Sequence, residues 1–570
     1  MPEVAQADGG EAVLQACRDI GADYVFSSPG SEWAPVWEAL ARARRDDISG
    51  PRYIDLTHET LAVGMATGYT LVTGRPQVVL LHATAGLLQG ANAIHGALLT
   101  GAAMVVCSGE STGYGDATGA DPGSQWYRNL SIVGGPQGVA APFTKWANMA
   151  ADVSVVYAML CRSAELAAAP PAGPVYLNVP VEVLLAPWTA SACLPIAPRA
   201  RTLATPEDIA ATVGILASAK HPLIITESGG RTSEQWAALV AFAEALGAQV
   251  VEPQSATCAN FPRQHPLHAG GDAATLAADA DVLVLVGCRA PWYPPSAVPA
   301  HTRTVVIDES PQRPYMAYQV LHADRYVGGD PAESLTALTA ALLAQGTADA
   351  SSSPVRWAQA RTHHEQLEAA RAAAEASAAV EHSGRVDPVL LVATLRAALP
   401  TDAIVVDETI THSRLVVTHL LADHPGRYHY VQGGLGQGLG VALGVKLGYD
   451  ERMVVLTVGD GALLYNPIVQ ALMASRSLGL PILVVVFVND VYMSMRHNHV
   501  RSYPQGIAVQ TGEFFGVSLE GQPDPAEVAR ACGAHGVRVD TRDQLDGALA
   551  ESLAAVTSGT TSVLAVHLTR

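Results

Sequence analysis

Charged side chains and paired cysteines are both scarce in this sequence. Charged residues make up only 15% of its 570 residues, whereas hydrophobic residues make up 49%. The seven cysteines are scattered singly, and no Cys-x-x-Cys pair occurs. Because no such pair occurs and the count is odd, neither a zinc site nor a disulfide framework is indicated. We therefore predict a globular protein whose reduced cysteines serve as small core residues.

Long apolar segments are missing as well. The longest uninterrupted apolar run, Leu480–Val488, covers about nine residues, whereas a membrane-spanning helix needs about 20. The first ten residues, MPEVAQADGG, lack the apolar stretch of a signal peptide. We expect a cytoplasmic protein with no membrane partner.

Positive charge is in deficit. The chain has 34 basic and 53 acidic residues, which gives a formal net charge of −19 with neutral histidines. This excess of negative charge would repel nucleic acid and anionic membranes, so we expect neither as a partner. A small-molecule substrate is compatible with it, because a local pocket can be positive within an acidic protein.

The chain is too long for one hydrophobic core, and its length predicts roughly three to four domains. Short β-branched runs alternate with longer Ala- and Leu-rich stretches, which is typical of parallel sheets covered by helices. We predict an α/β protein with three parallel-sheet domains, at residues 1–185, 205–345 and 385–570. The segments 185–204 and 347–354 have linker composition, and a helical segment is predicted at 355–382.

A candidate metal site lies in the third predicted domain. The predicted strand Val454–Val458 runs directly into Gly459-Asp460-Gly461, and after 27 further residues a second apolar strand ends at Asn489. Ligands collect at the carboxyl ends of parallel strands, so the Asp460 and Asn489 side chains should lie close together. Their oxygens suit Mg²⁺, and the glycines let a diphosphate approach the backbone. The alternative for Gly-Asp-Gly alone is an ordinary β-turn.

This combination resembles the cofactor motif of the thiamine diphosphate (ThDP)-dependent decarboxylase and acetolactate synthase superfamily. The resemblance extends over the whole chain and implies a pyrimidine-binding, a central and a diphosphate-binding domain, in that order. It implies that Asp460, Asn489 and the carbonyl of Val491 bind Mg²⁺, with Tyr492 beside the cofactor. One departure is Val488 before Asn489, where the family often has a second asparagine.

A glycine-rich segment upstream carries the same resemblance. Residues 432–438, Gln-Gly-Gly-Leu-Gly-Gln-Gly, resemble the family segment that receives the aminopyrimidine ring of ThDP. Gly434 would contact that ring, and Leu435 stands where a bulky apolar residue holds the cofactor in its bent shape. Considered alone, the segment could equally be a glycine-rich entrance to a helix.

An acidic residue in the first domain is the candidate activator of the cofactor. The predicted strand Tyr53–Leu56 is followed by Thr57-His58-Glu59, which resembles the family's His-Glu pair. The resemblance implies that Glu59 bonds to the aminopyrimidine and activates ThDP. A helix-capping role is the alternative. In this family the two halves of the cofactor site meet across a subunit interface, so we expect a homodimer at least and a homotetramer by analogy.

Substrate-facing residues are indicated less specifically. Ser31 after Pro29-Gly30, together with His82 after a strand, resembles the arrangement in benzoylformate decarboxylases, where Ser and His flank the substrate carboxylate and relay protons. The resemblance implies that both are catalytic, with His82 as the candidate for proton transfer. The alternatives are a turn serine and a capping histidine. The central-domain segment 288–293 lacks those enzymes' second histidine. Further pocket candidates are Gln125, Trp126, Trp292, Met493 and Arg496; a surface salt bridge is the alternative for Arg496.

We therefore expect a ThDP- and Mg²⁺-dependent enzyme that cleaves or forms a C–C bond next to a carbonyl. The reactions that the resemblance favours are decarboxylation of a 2-oxo acid and acetolactate synthase-like ligation. Alternatives are a C–C lyase or hydrolase of the same fold, acting on a cyclic diketone or a 2-hydroxyacyl thioester, and a non-catalytic ThDP-binding homologue.

Overall fold

A computed structural model describes residues 7–116, 119–190, 200–294, 301–317, 319, 323–345, 354–380, 384–449 and 451–569. Residues 191–199 of the predicted linker 185–204 and residues 347–353 of the predicted linker 347–354 lie outside these ranges, as do Cys193 and the last two residues of the predicted helical segment 355–382.

Strands and helices alternate along the described chain. The strands are β1 Tyr24–Ser28, β2 Arg52–Asp55, β3 Gln77–Leu81, β4 Met104–Ser108, β5 Ala147–Met149, β6 Pro174–Asn178, β7 Pro222–Thr226, β8 Gln249–Val251, β9 Val282–Val286, β10 Arg303–Asp308, β11 Arg325–Gly328, β12 Ile404–Glu408, β13 Tyr428–Tyr430, β14 Val454–Gly459, β15 Leu483–Val488, β16 His535–Val539 and β17 Ser562–His567.

The α-helices are α1 Gly9–Asp19, α2 Ala34–Arg45, α3 Glu59–Thr73, α4 Ala83–Thr100, α5 Gly135–Ala140, α6 Val153–Ala168, α7 Val181–Leu184, α8 Pro206–Ala217, α9 Ser233–Leu246, α10 Ala273–Ala278, α11 Pro331–Ala344, α12 Pro354–Val380, α13 Pro388–Ala398, α14 Ser413–Leu420, α15 Gly438–Gly448, α16 Asp460–Leu463, α17 Ile468–Leu478, α18 Met493–Ser502, α19 Ile507–Thr511, α20 Pro525–Ala531 and α21 Arg542–Thr557. Short 3₁₀ turns occur at Ser31–Trp33, Ala141–Phe143 and Ile410–His412, and a π-turn at Trp126–Leu130.

One compact unit comprises Met1–Arg199, Val431–Glu451 and Leu464–Leu480. It contains a six-stranded parallel sheet in the order β2-β1-β3-β4-β6-β5. The chain proceeds from β1 to β2 on one side and then to β3 on the other. The carboxyl ends of β1 and β3 therefore flank a topological switch point, where parallel sheets bind ligands.

The other unit comprises Ala200–Tyr430, Arg452–Leu463 and Pro481–Arg570 and contains two parallel sheets. Their strand orders are β11-β10-β9-β7-β8 and β13-β12-β14-β15-β17-β16. In the second of these, the switch point lies between β12 and β14. Three parallel sheets with interspersed helices confirm the predicted α/β class with three domains.

In the first unit, glycines bring α3 and α15 into backbone contact. A Cβ atom on Gly68 would lie 2.0 Å from the carbonyl oxygen of Val441, and one on Gly444 would lie 2.1 Å from that of Met65. Only glycine allows such an approach. The contact fixes the start of α3, where Glu59 lies, and the glycine-rich segment that precedes α15.

The described cysteines are all free, as the sequence predicts. Across the described ranges, no helix combines the length and apolar character needed to span a bilayer.

Candidate functional site

Asp460 lies at the carboxyl end of β14, beside the switch point between β12 and β14. Its carboxylate is buried and accepts hydrogen bonds from the backbone N–H groups of Gly461 (2.8 Å), Asn489 (3.0 Å) and Asp490 (2.8 Å), and from Nε2 of Gln522 (3.2 Å). Burial raises the pKa of Asp460, against the effect of these hydrogen bonds. A cation beside the carboxylate would offset that cost of burial.

The strand-end loop at Asn489 is fixed in a strained conformation. Asp490 has φ of 61°, which is uncommon for a residue other than glycine. The Asn489 side chain accepts a hydrogen bond from the Val491 N–H at 3.0 Å, and Val491 forms an antiparallel bridge with Ser518. Strain of this kind is retained where surrounding contacts enforce it, often at functional sites. The structure therefore brings Asp460 together with the Asn489–Val491 loop.

Two further predicted cofactor residues in this unit support the loop. A Cβ atom on Gly461 would lie 2.4 Å from the ring of Tyr492, so the glycine is required for the tyrosine to pack there. Gly459 is less confined, since a Cβ atom there would meet only the carbonyl oxygen of Thr409, at 3.7 Å. Within the described ranges, no cluster of three or more His, Cys, Asp or Glu side chains could hold a metal. A site made of one carboxylate, one amide and one backbone carbonyl is of a different kind.

The remaining candidates of the second unit lie on separate elements. Met493 and Arg496 are on α18, and the guanidinium of Arg496 lies 5.1 Å from the ring centre of Phe514. That distance is typical of a cation–π contact. Trp292 packs against a hydrophobic core beside the sheet that contains β9, and this core includes Leu283.

In the first unit, the switch point brings an acid and a histidine together. Glu32 follows β1 and is fully buried, and its carboxylate lies 3.0 Å from Nδ1 of His82, the residue after β3. The same carboxylate accepts a hydrogen bond from the Ala83 N–H at 2.8 Å. Ala83 has φ of 36°, so the backbone is strained beside the pair. A Cβ atom on Gly30 would lie 1.8 Å from Nδ1 of His82, so only glycine fits there.

The contact with Glu32 determines the state of His82. Its side chain makes no capping hydrogen bond to α4, although the residue precedes that helix. The hydrogen bond that His82 donates to Glu32 is the largest cause that raises the pKa of His82, and the charge of Glu59 acts in the same direction. An ionised carboxylate can only accept, so Nδ1 carries a proton. Nε2 has no hydrogen-bond partner among the described residues and is free to exchange a proton with a ligand.

Glu59 begins α3, after His58 has capped that helix by accepting from the Thr60 N–H at 3.2 Å. Its carboxylate packs over Gly86, where a Cβ atom would lie 3.3 Å from Oε1, and its Cβ lies close to Gly90. In the part of the chain that the structure describes, no residue donates a hydrogen bond to this carboxylate. The capping function therefore belongs to His58, and the Glu59 carboxylate is available to a ligand.

The other predicted residues of the first unit occupy two different environments. Nε2 of Gln125 donates to Oγ of Ser31 at 3.4 Å, so these two exposed polar groups lie together. Trp126 is fully buried against Ala83, and its indole N–H donates to the carbonyl of Pro122. A fully buried ring presents no surface to a substrate, so the contribution of Trp126 is to pack against Ala83 and hold it in place.

The glycine-rich segment is held by α4. Nδ2 of Asn92 donates to the carbonyl oxygen of Leu435 at 3.1 Å, and a Cβ atom on Gly434 would lie 2.3 Å from Oδ1 of Asn92. Gly436 has φ of 98° and packs against the backbone of Tyr465. Close packing therefore explains why Gly434 and Gly436 are glycines, and the contact with Asn92 fixes the position of the Leu435 backbone.

Sequence reasoning missed three residues at these sites. Glu32 follows Ser31 directly and could have been noted as an acid at a strand end. Ile410 has φ of 52°, a strained value for a β-branched residue, just after β12 at the switch point. Gln522 donates to Asp460 from 62 positions away, and no local pattern marks it.

Comparison with known proteins gives matches along most of the chain. Residues 7–124 match the thiamine pyrophosphate enzyme N-terminal TPP binding domain, residues 209–338 the central domain, and residues 410–566 the C-terminal TPP binding domain. Benzoylformate decarboxylase from Pseudomonas aeruginosa is 26% identical, over 95% of this chain and 96% of that protein. The large subunit of acetolactate synthase isozyme 3 from Escherichia coli is also 26% identical, over 96% of this chain and 92% of that protein.

Solved structures show the same fold. The thiamine diphosphate-dependent 4-hydroxybenzoylformate decarboxylase from Rhodococcus jostii RHA1 superposes with a TM-score of 0.81, at 23% identity and 99% coverage of each chain. Benzoylformate decarboxylase from Polynucleobacter necessarius gives a TM-score of 0.77 at 22% identity, over 99% of this chain and 98% of that one.

Proposed function

Because this chain belongs to the thiamine pyrophosphate enzyme family, we propose that it is a ThDP- and Mg²⁺-dependent 2-oxo acid decarboxylase. The relatives include both decarboxylases and acetolactate synthases. The observation that favours decarboxylation is the buried Glu32 carboxylate bonded to Nδ1 of His82, with Glu59 close enough to raise the pKa of that histidine. A positioned proton donor is what release of an aldehyde requires.

The second unit carries residues that fit Mg²⁺ and a diphosphate. The Asp460 carboxylate is buried and accepts backbone N–H groups of the strained loop from Asn489 to Val491, which also carries the amide of Asn489 and the carbonyl of Val491. Hard oxygen donors of these types suit Mg²⁺, which keeps water and phosphate oxygens in its remaining positions. Asp460, Asn489 and the carbonyl of Val491 would hold the metal.

The first unit carries residues that fit the aminopyrimidine of the cofactor. The carboxylate of Glu59 has no hydrogen-bond donor among the described residues and lies over the small surface of Gly86. When bound, ThDP supplies the thiazolium carbon that adds to the substrate carbonyl and accepts the electrons of the bond that breaks. Glu59 would hold a proton at the aminopyrimidine nitrogen, and Leu435 would lie against the ring.

His82 would then deliver a proton to the product. Glu32 keeps the proton on Nδ1 and raises the pKa of the ring, so a larger fraction of the imidazolium is present near neutral pH. Nε2 would give its proton to the carbon that has lost carbon dioxide. Ser31 and Gln125 are neutral hydrogen-bonding groups and would orient the substrate carboxylate before it leaves.

The test is reconstitution of protein that has been stripped with a chelator. The apoprotein receives ThDP, Mg²⁺ or both, together with benzoylformate, 4-methyl-2-oxopentanoate or pyruvate, and both carbon dioxide and aldehyde are measured. The proposal predicts equal amounts of the two products, only when both cofactors are present. Carbon dioxide accompanied by a 2-hydroxy ketone instead of an aldehyde would assign the protein to ligation. Release without ThDP would reject the cofactor.

We further propose that a second copy of this chain completes the cofactor site. The α17 region of the first unit exposes Leu464, Tyr465, Val469 and Met473, which is a large apolar group for one short segment. Burial of these side chains against another copy would fit the homodimer that the family resemblance implies. Met473→Glu should give monomers by light scattering, whereas Ala372→Glu, an exposed site on α12, should not. A monomeric wild-type protein with full activity would contradict this assembly.

A further inference from the structure

The second unit contains a cavity of about 540 Å³. Its walls are the segment after β8, one side of α12, and α14 with β13. Neither Asp460 nor Asn489 lines it. Ligand sites typically have volumes of about 300–1,000 Å³, so this cavity is large enough for a small organic molecule.

Much of the wall is apolar. Leu276 lies on one side, Leu367 on α12 forms a second, and Val417 and Leu421 form a third. The ring of Tyr430 also borders the space. A ligand that fills this volume therefore needs a hydrocarbon or aromatic body, because burial of apolar surface is the largest favourable contribution to binding there.

Two cations at the wall are already neutralised. Nη2 of Arg263 lies 3.3 Å from the carboxylate of Glu252, and both side chains are buried. Arg371 donates to Glu368 and, at 3.1 Å, to Glu375. Neither arginine has charge left for a ligand.

Arg414 on α14 is different. It lines the cavity, and the described residues provide it with no ion pair and no hydrogen bond. Its charge acts on Asp272, whose carboxylate already accepts from the N–H and hydroxyl of Thr275 at the start of α10. One unpaired positive group thus faces the space.

His363 on α12 provides a second polar group. It lines the cavity, and its Nε2 is buried without a hydrogen-bond partner among the described residues. A buried ring nitrogen without a partner is costly. A ligand oxygen would remove that cost.

From this arrangement we infer that the cavity is a binding site for a small monocarboxylate with an apolar body. The carboxylate pairs with Arg414, one of its oxygens reaches His363, and the body fills the space between Leu276, Leu367 and Val417. A dianion such as a phosphate ester is disfavoured, because Arg263 and Arg371 are already paired with Glu252 and Glu368, so that among the arginines of the described lining only Arg414 is left to balance its charge. The inference does not depend on the proposed decarboxylation.

Filling the cavity tests the inference. Ala370 lines the cavity and is exposed on α12, whereas Ala373 is exposed on the same helix and does not line it. We expect wild type and Ala373→Trp to bind phenylacetate with equal affinity in calorimetry, and Ala370→Trp to bind it at least about tenfold more weakly. Because both sites are exposed, the two variants should fold alike, and circular dichroism checks this.

Phenylacetate could also enter the catalytic site, and the same pair of variants separates the two sites. Binding at the catalytic site would be equal in Ala370→Trp and Ala373→Trp, and both should retain wild-type carbon dioxide release if the proposed function is right. Equal phenylacetate binding in the two variants, or none by wild type, overturns the cavity site whatever the catalytic result.

The charge requirement has its own test. Arg414→Gln should weaken phenylacetate binding by about tenfold while leaving the neutral phenylacetamide unchanged. Arg361→Gln, an exposed site on α12 away from the cavity, should change neither. Phenyl phosphate should bind more weakly than phenylacetate. Equal loss of phenylacetate and phenylacetamide in Arg414→Gln would overturn the assignment of the carboxylate to Arg414.

Discussion

The carboxylate of Glu32 lies 3.0 Å from Nδ1 of His82, and it also accepts the N–H of the strained residue Ala83 at 2.8 Å. Both partners stand at the carboxyl ends of neighbouring parallel strands, at the switch point of the first sheet. The arrangement fixes the imidazole ring, places a proton on one of its nitrogens and leaves the other free. These features fit the proton donor that we propose His82 to be.

Glu32→Gln should therefore alter the pH dependence of the reaction. The amide removes the negative charge that raises the pKa of His82, so that pKa falls and less imidazolium is present near neutrality. A general acid acts below its pKa, so the alkaline limb of kcat against pH should move to lower pH. If the limb moves by about one pH unit, activity at a fixed pH on that limb falls about tenfold.

Glu38→Gln is the matched control, because Glu38 is an exposed acid on α2. Its pH profile should coincide with that of the wild type. A uniform loss of kcat in Glu32→Gln, with no movement of the limb, would mean that Glu32 only supports the fold.

Asp460→Asn should weaken the Mg²⁺-dependent binding of ThDP. The substitution removes the negative charge that would face the metal while it keeps the size of the side chain. We expect ThDP affinity to fall by about tenfold or more at a fixed Mg²⁺ concentration, measured by calorimetry. Asp402→Asn, an exposed site in the same unit, should bind normally. An unchanged affinity in Asp460→Asn would remove Asp460 from the metal site.

Much of the geometry around Asp460 and Asn489 could be predicted, because it follows from strand register. The sequence predicts strand Val454–Val458, and the structure has Val454–Gly459. Parallel pairing of β14 with β15 then brings Asp460 within hydrogen-bond distance of the Asn489 backbone. Residues that directly follow neighbouring parallel strands meet whatever the rest of the chain does.

Other features depend on tertiary packing and could not be predicted. The sequence predicts that Trp126 lines the substrate pocket, but its side chain is fully buried and packs against Ala83. Gln522 reaches Asp460 through a loop whose path no periodicity specifies. The pairing of Glu32 with His82 requires β3 to lie beside β1. That strand order is set by the packing of the whole domain.

Glu375 should stabilise the protein in a pH-dependent manner. It accepts hydrogen bonds from Arg396 (2.7 Å), His419 (2.8 Å) and Arg371 (3.1 Å), and the first of these is the largest cause that lowers its pKa from 4.5 to about 2. A carboxyl with a lowered folded-state pKa adds stability above its ordinary pKa, and this stability is lost as the pH falls from 4.5 towards 2.

Glu375→Gln should thus lower the melting temperature at neutral pH, by an amount that reflects on the order of 2 kcal/mol. The difference from wild type should shrink as the pH falls below 4.5. Glu365→Gln, at an exposed site on the same helix, should have no such effect. A difference that is constant with pH would show that the charge of Glu375 contributes nothing.

Gly68→Ala and Gly214→Ala should change stability in opposite directions. A Cβ atom on Gly68 would lie 2.0 Å from a backbone oxygen of α15, whereas one on Gly214 in α8 has open space around it. Gly214→Ala should stabilise its helix by about 0.5–1 kcal/mol. Gly68→Ala should lower the melting temperature, because α3 and α15 must separate. Equal effects of the two variants would contradict the close contact of these helices.

The central claim is that the free carboxylate of Glu59 activates bound ThDP, and exchange of the cofactor's C2 proton with deuterium tests it most directly. Wild type and Glu38→Gln, saturated with ThDP and Mg²⁺, should exchange this proton rapidly in quenched-flow NMR. Glu59→Gln should still bind the cofactor, but its C2 proton should exchange more slowly by a factor of about 100 or more. Exchange at the wild-type rate in Glu59→Gln would contradict the account.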